Sequence, residues 1–176
     1  MTRISLLKEE SAAPELRETF RQMTEKGRPV LNLFKIMAHS PQVGYQFLRL
    51  GNAILFRGVV PPHLRELAIL RVGFINKAVY EWTQHVPIAL RVGVRQKQID
   101  ALSQWENSTE FSDTEKAILR YTDEETINIR VKDETFAAVR AILSEEGIVE
   151  LTTAIGYYGM VCRILETLQV ELEKEE

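Results

Sequence analysis

Glu81 and His85 are the residues in this chain whose types and spacing best suit chemistry. They are four positions apart, so on a helix they lie on one face, about one turn from each other. A carboxylate beside an imidazole raises the imidazole pKa and fixes its tautomer, as a general base or proton shuttle requires. Spacing alone favours the plainer alternative, a helix-stabilising pair that contributes about 0.2–0.5 kcal/mol.

The residues around this pair are mostly apolar, which favours a functional role. Tyr80, Trp82 and Val86 offer few polar atoms, and a buried Glu–His pair is costly unless it has partners or a purpose. Glu66 lies in a similarly apolar stretch, LRELAIL. If its helix and that of His85 form an antiparallel hairpin, Glu66 approaches the imidazole. We therefore predict an acid/base site made of these three side chains.

Thiol and metal chemistry are not expected. Cys162 is the only cysteine, which excludes an intramolecular disulfide and any CxxC pair and predicts a cytoplasmic protein. It lies on an apolar helix face, where a free cysteine mostly behaves as a small buried hydrophobe. Glu81 and His85 without a defined third ligand are a weak signal for a metal site. We predict no metal and no other cofactor.

The composition is that of one soluble globular domain, residues 1–176, with 45% hydrophobic residues. Both charge signs are interspersed, with 22 Lys plus Arg against 25 Asp plus Glu and a net charge of -3, so no nucleic-acid partner is expected. Charges interrupt the apolar stretches before they reach the ~18–20 residues of a membrane span, and the N-terminus lacks a hydrophobic signal core. We expect no membrane partner.

Apolar residues recur with helical periodicity along most of the chain, which predicts an all-α fold. The pair Ser112 and Glu115 forms a capping-box signal, and Ser40-Pro41 is a typical helix start. The apolar stripe of the last helix should pack against a partner. The predicted helices are Pro14–Gly27, Val30–Ala38, Pro41–Gly58, Leu64–Asn76, Tyr80–Arg91, Gln96–Leu102, Asp113–Asn128, Asp133–Gly147 and Ile148–Leu172.

The stretch 64–102 resembles the core motif of the carboxymuconolactone decarboxylase family, which also contains the alkylhydroperoxidase D group. Three landmarks occur in the family's order and spacing: RE at 65–66, YEWxxH at 80–85, and GV at 93–94 followed by Ile99. The resemblance implies a compact, multi-helix, alkylhydroperoxidase D-like fold. It also implies a homo-oligomer, whether dimer, trimer or hexamer, with active sites near subunit interfaces.

The resemblance also shows a departure from the family's peroxidase branch. That branch uses CxxCxxxH together with a relay Glu on the preceding helix. His85 and Glu66 match the His and the relay Glu, but Ala78 and Glu81 occupy the two cysteine positions. A thiolate reduces a hydroperoxide and a second thiol resolves the sulfenic acid. The peroxiredoxin activity associated with the family is therefore not expected here.

The decarboxylase branch of the family is a lyase that acts without thiols on a small unsaturated lactone acid. Loss of CO2 beside a carbonyl or lactone leaves an enolate, which must be stabilised and protonated. Protonated His85 can supply that proton, with Glu66 and Glu81 orienting the ring and holding its charge.

Four further residues are predicted to bind this small-molecule substrate. Arg65 or Arg71 would hold a substrate carboxylate in bidentate fashion, although each arginine taken singly is more typical of a structural or exposed ion pair. Trp82 and Tyr158 would line a pocket for a planar substrate, although aromatic residues at helical spacing more often belong to a core.

Two other functions stay open at this point. One is an alkylhydroperoxidase-like oxidoreductase, which the missing cysteine pair disfavours, and the other is a non-catalytic helical oligomer or binding module. The remaining histidines do not decide between them. His39 precedes a helix start and fits a structural role at a helix C-terminus, and His63 lies in an exposed turn and is assigned no role.

Overall fold

Residues 2–173 are described by the structure, a computed structural model, and their backbone confirms the all-α prediction. Within this range the chain forms nine α-helices, two short 3-10 helices and no strand. The α-helices are α1 (Pro14–Glu25), α2 (Asn32–Met37), α3 (Pro41–Phe56), α4 (Pro62–Ile75), α5 (Val79–Arg91), α6 (Gln96–Ala101), α7 (Asp113–Asn128), α8 (Asp133–Arg140) and α9 (Glu145–Leu168). The 3-10 helices are Glu9–Ser11 and Leu102–Asn107.

The boundary between α8 and α9 differs from the prediction. Gly147 was expected to end the helix that starts at Asp133, but that helix stops at Arg140 and Gly147 lies in the first turn of α9. The reason is Ser144, whose Oγ accepts a hydrogen bond from the Gly147 N–H at 3.1 Å and satisfies one of the unpaired donors of a helix start. At the other end, Leu172 lies beyond the helix, because Gln169 adopts a left-handed φ of 50° after Leu168.

The predicted start of α7 is present in full. Glu115 donates its backbone N–H to Ser112 Oγ at 3.3 Å, and Ser112 donates its own to Glu115 Oε2 at 2.8 Å. This reciprocal pair is a capping box. It sets the start of the helix that lines one side of α4.

The chain divides into two compact units. Among the described residues, the first contains 2–56 and 165–173. Its core is built around Leu16 and Phe20, both fully buried. His39 belongs to this unit and lies 2.8 Å from the carbonyl of Ser5 through Nε2, which agrees with the structural role expected of it.

The second unit, Arg57–Ile164, contains every predicted site residue. Its central element is α4, in which every residue from Leu64 to Leu70 is buried. A helix that is apolar on most sides must be surrounded by other elements, and α5 and α7 pack against it. Leu67, Leu70, Ala89, Trp105 and Leu119 form the core between these helices.

Glu150 on α9 contacts the segment between α3 and α4. Its Oε2 accepts the backbone N–H groups of Val59 and Val60 at 2.6 and 3.1 Å. Gly58 allows the carboxylate to approach, since a Cβ there would lie 2.6 Å from the same oxygen. The start of α4 is therefore fixed by a charge-assisted contact from α9.

The last helix, α9, is long and largely apolar. By length and composition alone, α9 could cross a membrane, but more than half of its most apolar stretch is buried inside the protein, as expected for the core helix of a globular protein. Glu150 and Arg163 interrupt this apolar stretch, in agreement with the expectation from the sequence. Cys162 lies on this helix and is buried.

Candidate active site

Helices α4 and α5 form an antiparallel pair that carries the predicted acid/base residues. Glu66, near the start of α4, bonds to His85 in the second half of α5. Gly73, near the end of α4, lies beside Glu81 in the first turn of α5, with 3.7 Å between an ideal Cβ at Gly73 and Cγ of Glu81. The predicted helical hairpin is thus present, and it brings together residues 19 positions apart in sequence.

His85 lies between two carboxylates. Its Nδ1 is 2.7 Å from Glu66 Oε2 in a hydrogen bond, and its Nε2 is 3.0 Å from Glu81 Oε1. Glu81 Oε1 is buried and has no hydrogen-bond partner within residues 2–173. The second contact is therefore an ion pair without a well-aligned hydrogen bond. Relative exposures of 0% for Glu66, 3% for Glu81 and 6% for His85 place all three side chains in the interior.

Helix α5 buries this polar pair while exposing apolar residues. Its buried side chains are Tyr80, Glu81, His85 and Ala89, whereas Val79 is 68% exposed. A helix stabilised only by packing would turn its apolar side inward. Local departures from that pattern are expected at functional sites.

The charges of this cluster determine the protonation of His85. Burial by itself lowers the pKa of His85, but the negative charge of Glu81 and the hydrogen bond to Glu66 outweigh burial and raise the pKa to about 9. Arg65, also buried, adds a second cation, with its Nε 3.4 Å from Glu66 Oε1. The negative charges of two carboxylates and the positive charges of two cations therefore compensate each other in the interior.

Tyr158 on α9 packs its ring edge-on against His85. The ring centroids are 4.8 Å apart with an angle of 80° between the ring planes, an arrangement that aromatic rings favour. Burial, together with the nearby charges of Glu81 and Glu66, raises the pKa of the Tyr158 phenol well above its ordinary value. The phenol stays protonated and covers one side of the imidazole.

The raised pKa of His85 predicts a pH-dependent stability. The contribution of the charged imidazole is complete below the unfolded-state pKa of about 6.5 and is lost as the pH rises toward about 9. We expect the free energy of unfolding, measured by urea denaturation, to fall over this range in the wild type and not in His85→Gln. An NMR titration of the His85 ring should have its midpoint near pH 9, and a midpoint at or below pH 6.5 would contradict the assignment.

Arg71 is not part of this cluster, contrary to its predicted role. Its guanidinium donates to both carboxylate oxygens of Asp123 at 2.6 and 2.8 Å and to the carbonyl of Leu102 at 2.9 Å. Trp105 donates its indole N–H to the same Asp123 at 3.0 Å. A guanidinium already held in bidentate fashion is not available for a substrate carboxylate, so we do not place Arg71 among the substrate ligands.

Trp82 lies on a different face of α5 and lines an open groove of about 530 Å³. The groove passes Gly73 and Ala78, so it borders the helix pair at the position of Glu81. The sequence indicated Trp82 but not Phe74 or Lys77, which line the same groove. No motif marks these two residues, since Phe74 near the end of α4 and Lys77 in the following turn lie between the landmarks RE and YEWxxH.

Part of the chain matches a known protein family. Residues 41–124, which include α4, α5 and the cluster around His85, match the profile of the carboxymuconolactone decarboxylase family. This segment belongs to the carboxymuconolactone decarboxylase family. The resemblance inferred from RE, YEWxxH and GV is thereby confirmed, and no curated protein matches the chain.

Solved structures similar to this chain include two that are described as related to alkylhydroperoxidase D. A protein of unknown function from Agrobacterium tumefaciens, suggested to be the antioxidant defence protein AhpD, is 27% identical, with a TM-score of 0.71 over 78% of this chain and 94% of its own. An uncharacterised peroxidase-related protein from Ralstonia eutropha, with an alkylhydroperoxidase AhpD core, is 16% identical, with a TM-score of 0.86 over 98% of this chain and 93% of its own.

A third similar structure is the debrominase Bmp8 in complex with 2,3,4-tribromopyrrole, which is 21% identical, with a TM-score of 0.81 over 98% of this chain and 94% of its own. At such identities the Bmp8 and Ralstonia structures establish only the shared fold. One fold thus carries proteins described by different chemistries, and the reaction must be inferred from the residues of the site.

The positions where the family's peroxidase branch has thiols are occupied differently here. Ala78 is buried at the N-terminal boundary of α5, and Glu81 extends toward His85. The carboxylates of Glu66 and Glu81 contact opposite nitrogens of the ring, so they satisfy the imidazole rather than converge on one cation. The geometry suits proton transfer.

Proposed function

We propose that this protein is a thiol-independent enzyme of the carboxymuconolactone decarboxylase type, which performs acid/base chemistry on a small carboxylated or lactone substrate. The observation that carries the proposal is the buried arrangement of Glu66, His85 and Glu81, with one carboxylate at each ring nitrogen. Strongly perturbed ionisable groups buried beside specific charge partners are typical of catalytic sites.

In the proposed mechanism each of the three residues has a distinct task. Glu66 is a positioning residue, because its hydrogen bond at Nδ1 fixes the ring and leaves Nε2 directed toward Glu81. His85 is protonated at neutral pH, since its pKa is raised to about 9, and so holds the proton that the reaction needs.

Glu81 is the proposed proton carrier, because it is the member of the cluster that packs against the wall of the groove. It lies between His85 and Gly73, which lines the groove. When CO2 leaves a carbon beside the lactone carbonyl, the electron pair forms an enolate. A proton passes from His85 through Glu81 to the enolate carbon, completing the replacement of the carboxylate by hydrogen. The buried setting strengthens these electrostatic interactions.

The presence of only one cysteine in the sequence favours this proposal over peroxide reduction. Cys162 is buried on α9, and Ala78 and Glu81 replace the family's cysteine pair.

We also propose that the protein acts in the cytoplasm and as a homo-oligomer. The apolar residues exposed along α9, Val149 and Met160, support self-association.

The proposal is tested with carboxymuconolactone, the lactone acid that gives the family its name. We expect the purified protein to release CO2 from it, measured by coupled spectrophotometry, with kcat unchanged in Cys162→Ser because no thiol takes part. Hydrogen peroxide and an organic hydroperoxide should not be consumed by either protein. Absence of CO2 release, or peroxide turnover that disappears in Cys162→Ser, would contradict the proposal.

A further inference from the structure

The site described so far lacks an available cation for an anionic substrate. Arg65 is buried beside Glu66, and Arg71 is held by Asp123. Both arginines predicted from the sequence are therefore occupied by carboxylates of the protein itself. A carboxylated substrate needs another positively charged group beside the groove.

Lys77 is the cation that lines the groove. Its side chain is exposed, and none of the ion pairs or side-chain hydrogen bonds found within residues 2–173 involves its ammonium group. Its backbone adopts a left-handed φ of 55° in the turn between α4 and α5, a conformation for which glycine is the usual residue. A lysine at such a position has a conformational cost, and it places an unpaired charge at the rim of the groove.

The groove wall beside Lys77 is aromatic. Phe74 and Trp82 both line it, with ring centroids 6.3 Å apart and an angle of 56° between their planes. The rings are tilted rather than stacked on each other, and Phe74 is 42% exposed, so ring surface is available to a ligand. Such a surface favours a planar, unsaturated molecule.

Polar groups from α6 line another part of the groove. Asp100 accepts a hydrogen bond from Gln96 at 2.8 Å, and both side chains line the groove together with Ser103. A carboxylate in this position can accept a hydrogen bond from a hydroxyl group of a ligand. The groove volume of about 530 Å³ lies within the ~300–1,000 Å³ range of small-molecule sites.

We propose that this groove binds the substrate as a planar, unsaturated carboxylate, and that Lys77 determines specificity by binding a carboxylate that is kept in the reaction. The inference rests on the proposed function for its connection to Glu81, which is separated from the groove by Gly73. In this arrangement Phe74 and Trp82 contact the plane of the ring, and Asp100 accepts a hydrogen bond from a ligand that carries a hydroxyl, as the probes below do. Lys77 thereby takes the role that the sequence suggested for Arg65 or Arg71.

The test measures binding, which does not require turnover. The probes are 4-hydroxybenzoate and its uncharged analogue 4-hydroxybenzamide, titrated by isothermal calorimetry at low salt. We expect the wild type to prefer the acid, and Lys77→Gln to raise Kd for the acid about tenfold while leaving Kd for the amide unchanged, the loss expected for one charge-assisted contact. The matched control is Lys97→Gln, which removes the same charge from an exposed residue of α6 that does not line the groove.

Two further variants keep the result unambiguous. Trp82→Ala should weaken both probes because it removes ring surface, and Lys77→Gly should weaken only the acid while raising Tm, since glycine relieves the left-handed backbone. Equal affinity for acid and amide in the wild type, no binding of either at millimolar concentration, or equal effects of Lys77→Gln and Lys97→Gln would overturn the proposal. Selective acid binding without CO2 release from carboxymuconolactone would uphold the groove assignment and refute the proposed function.

Discussion

Replacing His85 by glutamine is expected to lower kcat for CO2 release from carboxymuconolactone by about 10²–10⁴-fold, the usual contribution of a positioned proton donor. Glutamine is close in size to histidine and can still hydrogen-bond to Glu66, but it cannot carry the proton that His85 holds through its raised pKa of about 9. The measurement is kcat under saturating substrate, with circular dichroism to verify that the variant is folded.

The matched control for this variant is His39→Gln. His39 belongs to the other unit and contacts the carbonyl of Ser5, so its replacement should leave kcat within about twofold of the wild type. Comparable losses in both variants would indicate a general effect on stability, and full activity in His85→Gln would remove His85 from the mechanism.

Replacing Glu66 by glutamine is expected to destabilise the protein by about 3–5 kcal/mol, as is typical when one partner of a buried ion pair is removed. Glu66 is completely buried and faces both His85 and Arg65. Without its charge, two cations share the interior with Glu81 alone. The free energy of unfolding from urea denaturation at pH 7 measures the loss, and the pKa of His85 should fall at the same time.

Glu146→Gln is the appropriate comparison for Glu66→Gln. Glu146 lies in the first turn of α9 and is exposed, so removing its charge should change the free energy of unfolding by less than about 0.5 kcal/mol. An effect of Glu66→Gln no larger than that of Glu146→Gln, or an unchanged pKa of His85, would show that the buried pair carries little electrostatic energy.

The contacts that were predictable from the sequence depend on regular helix geometry. Glu81 and His85 share a face because they are four residues apart, and a short turn after α4 makes an antiparallel neighbour the natural arrangement for α5. Glu66 could therefore be placed near His85. The role of Arg71 could not be judged in this way, because its partner Asp123 is 52 positions away on α7, and only tertiary packing brings the two together.

The errors in helix boundaries have a local cause. Gly147 was interpreted as a helix end because glycine is frequent there, but Ser144 also offers a cap for a new helix, and the two signals compete within four residues. Lys77 was missed for a related reason. A left-handed turn is normally signalled by glycine or asparagine, and no pattern in the chain marks a lysine that adopts this conformation.

Helix α9 makes two contacts that place different parts of the second unit in register. Glu150 holds the backbone before α4, and Tyr158 packs on His85 of α5. These residues are eight positions apart, or about 12 Å along a helix axis, so α9 acts as a rigid spacer between the beginning of one helix and the reactive ring of the next. A shift of α9 along its axis would break both contacts at once. We therefore expect the site to open in one cooperative step that involves the whole helix, rather than by the movement of one side chain at a time.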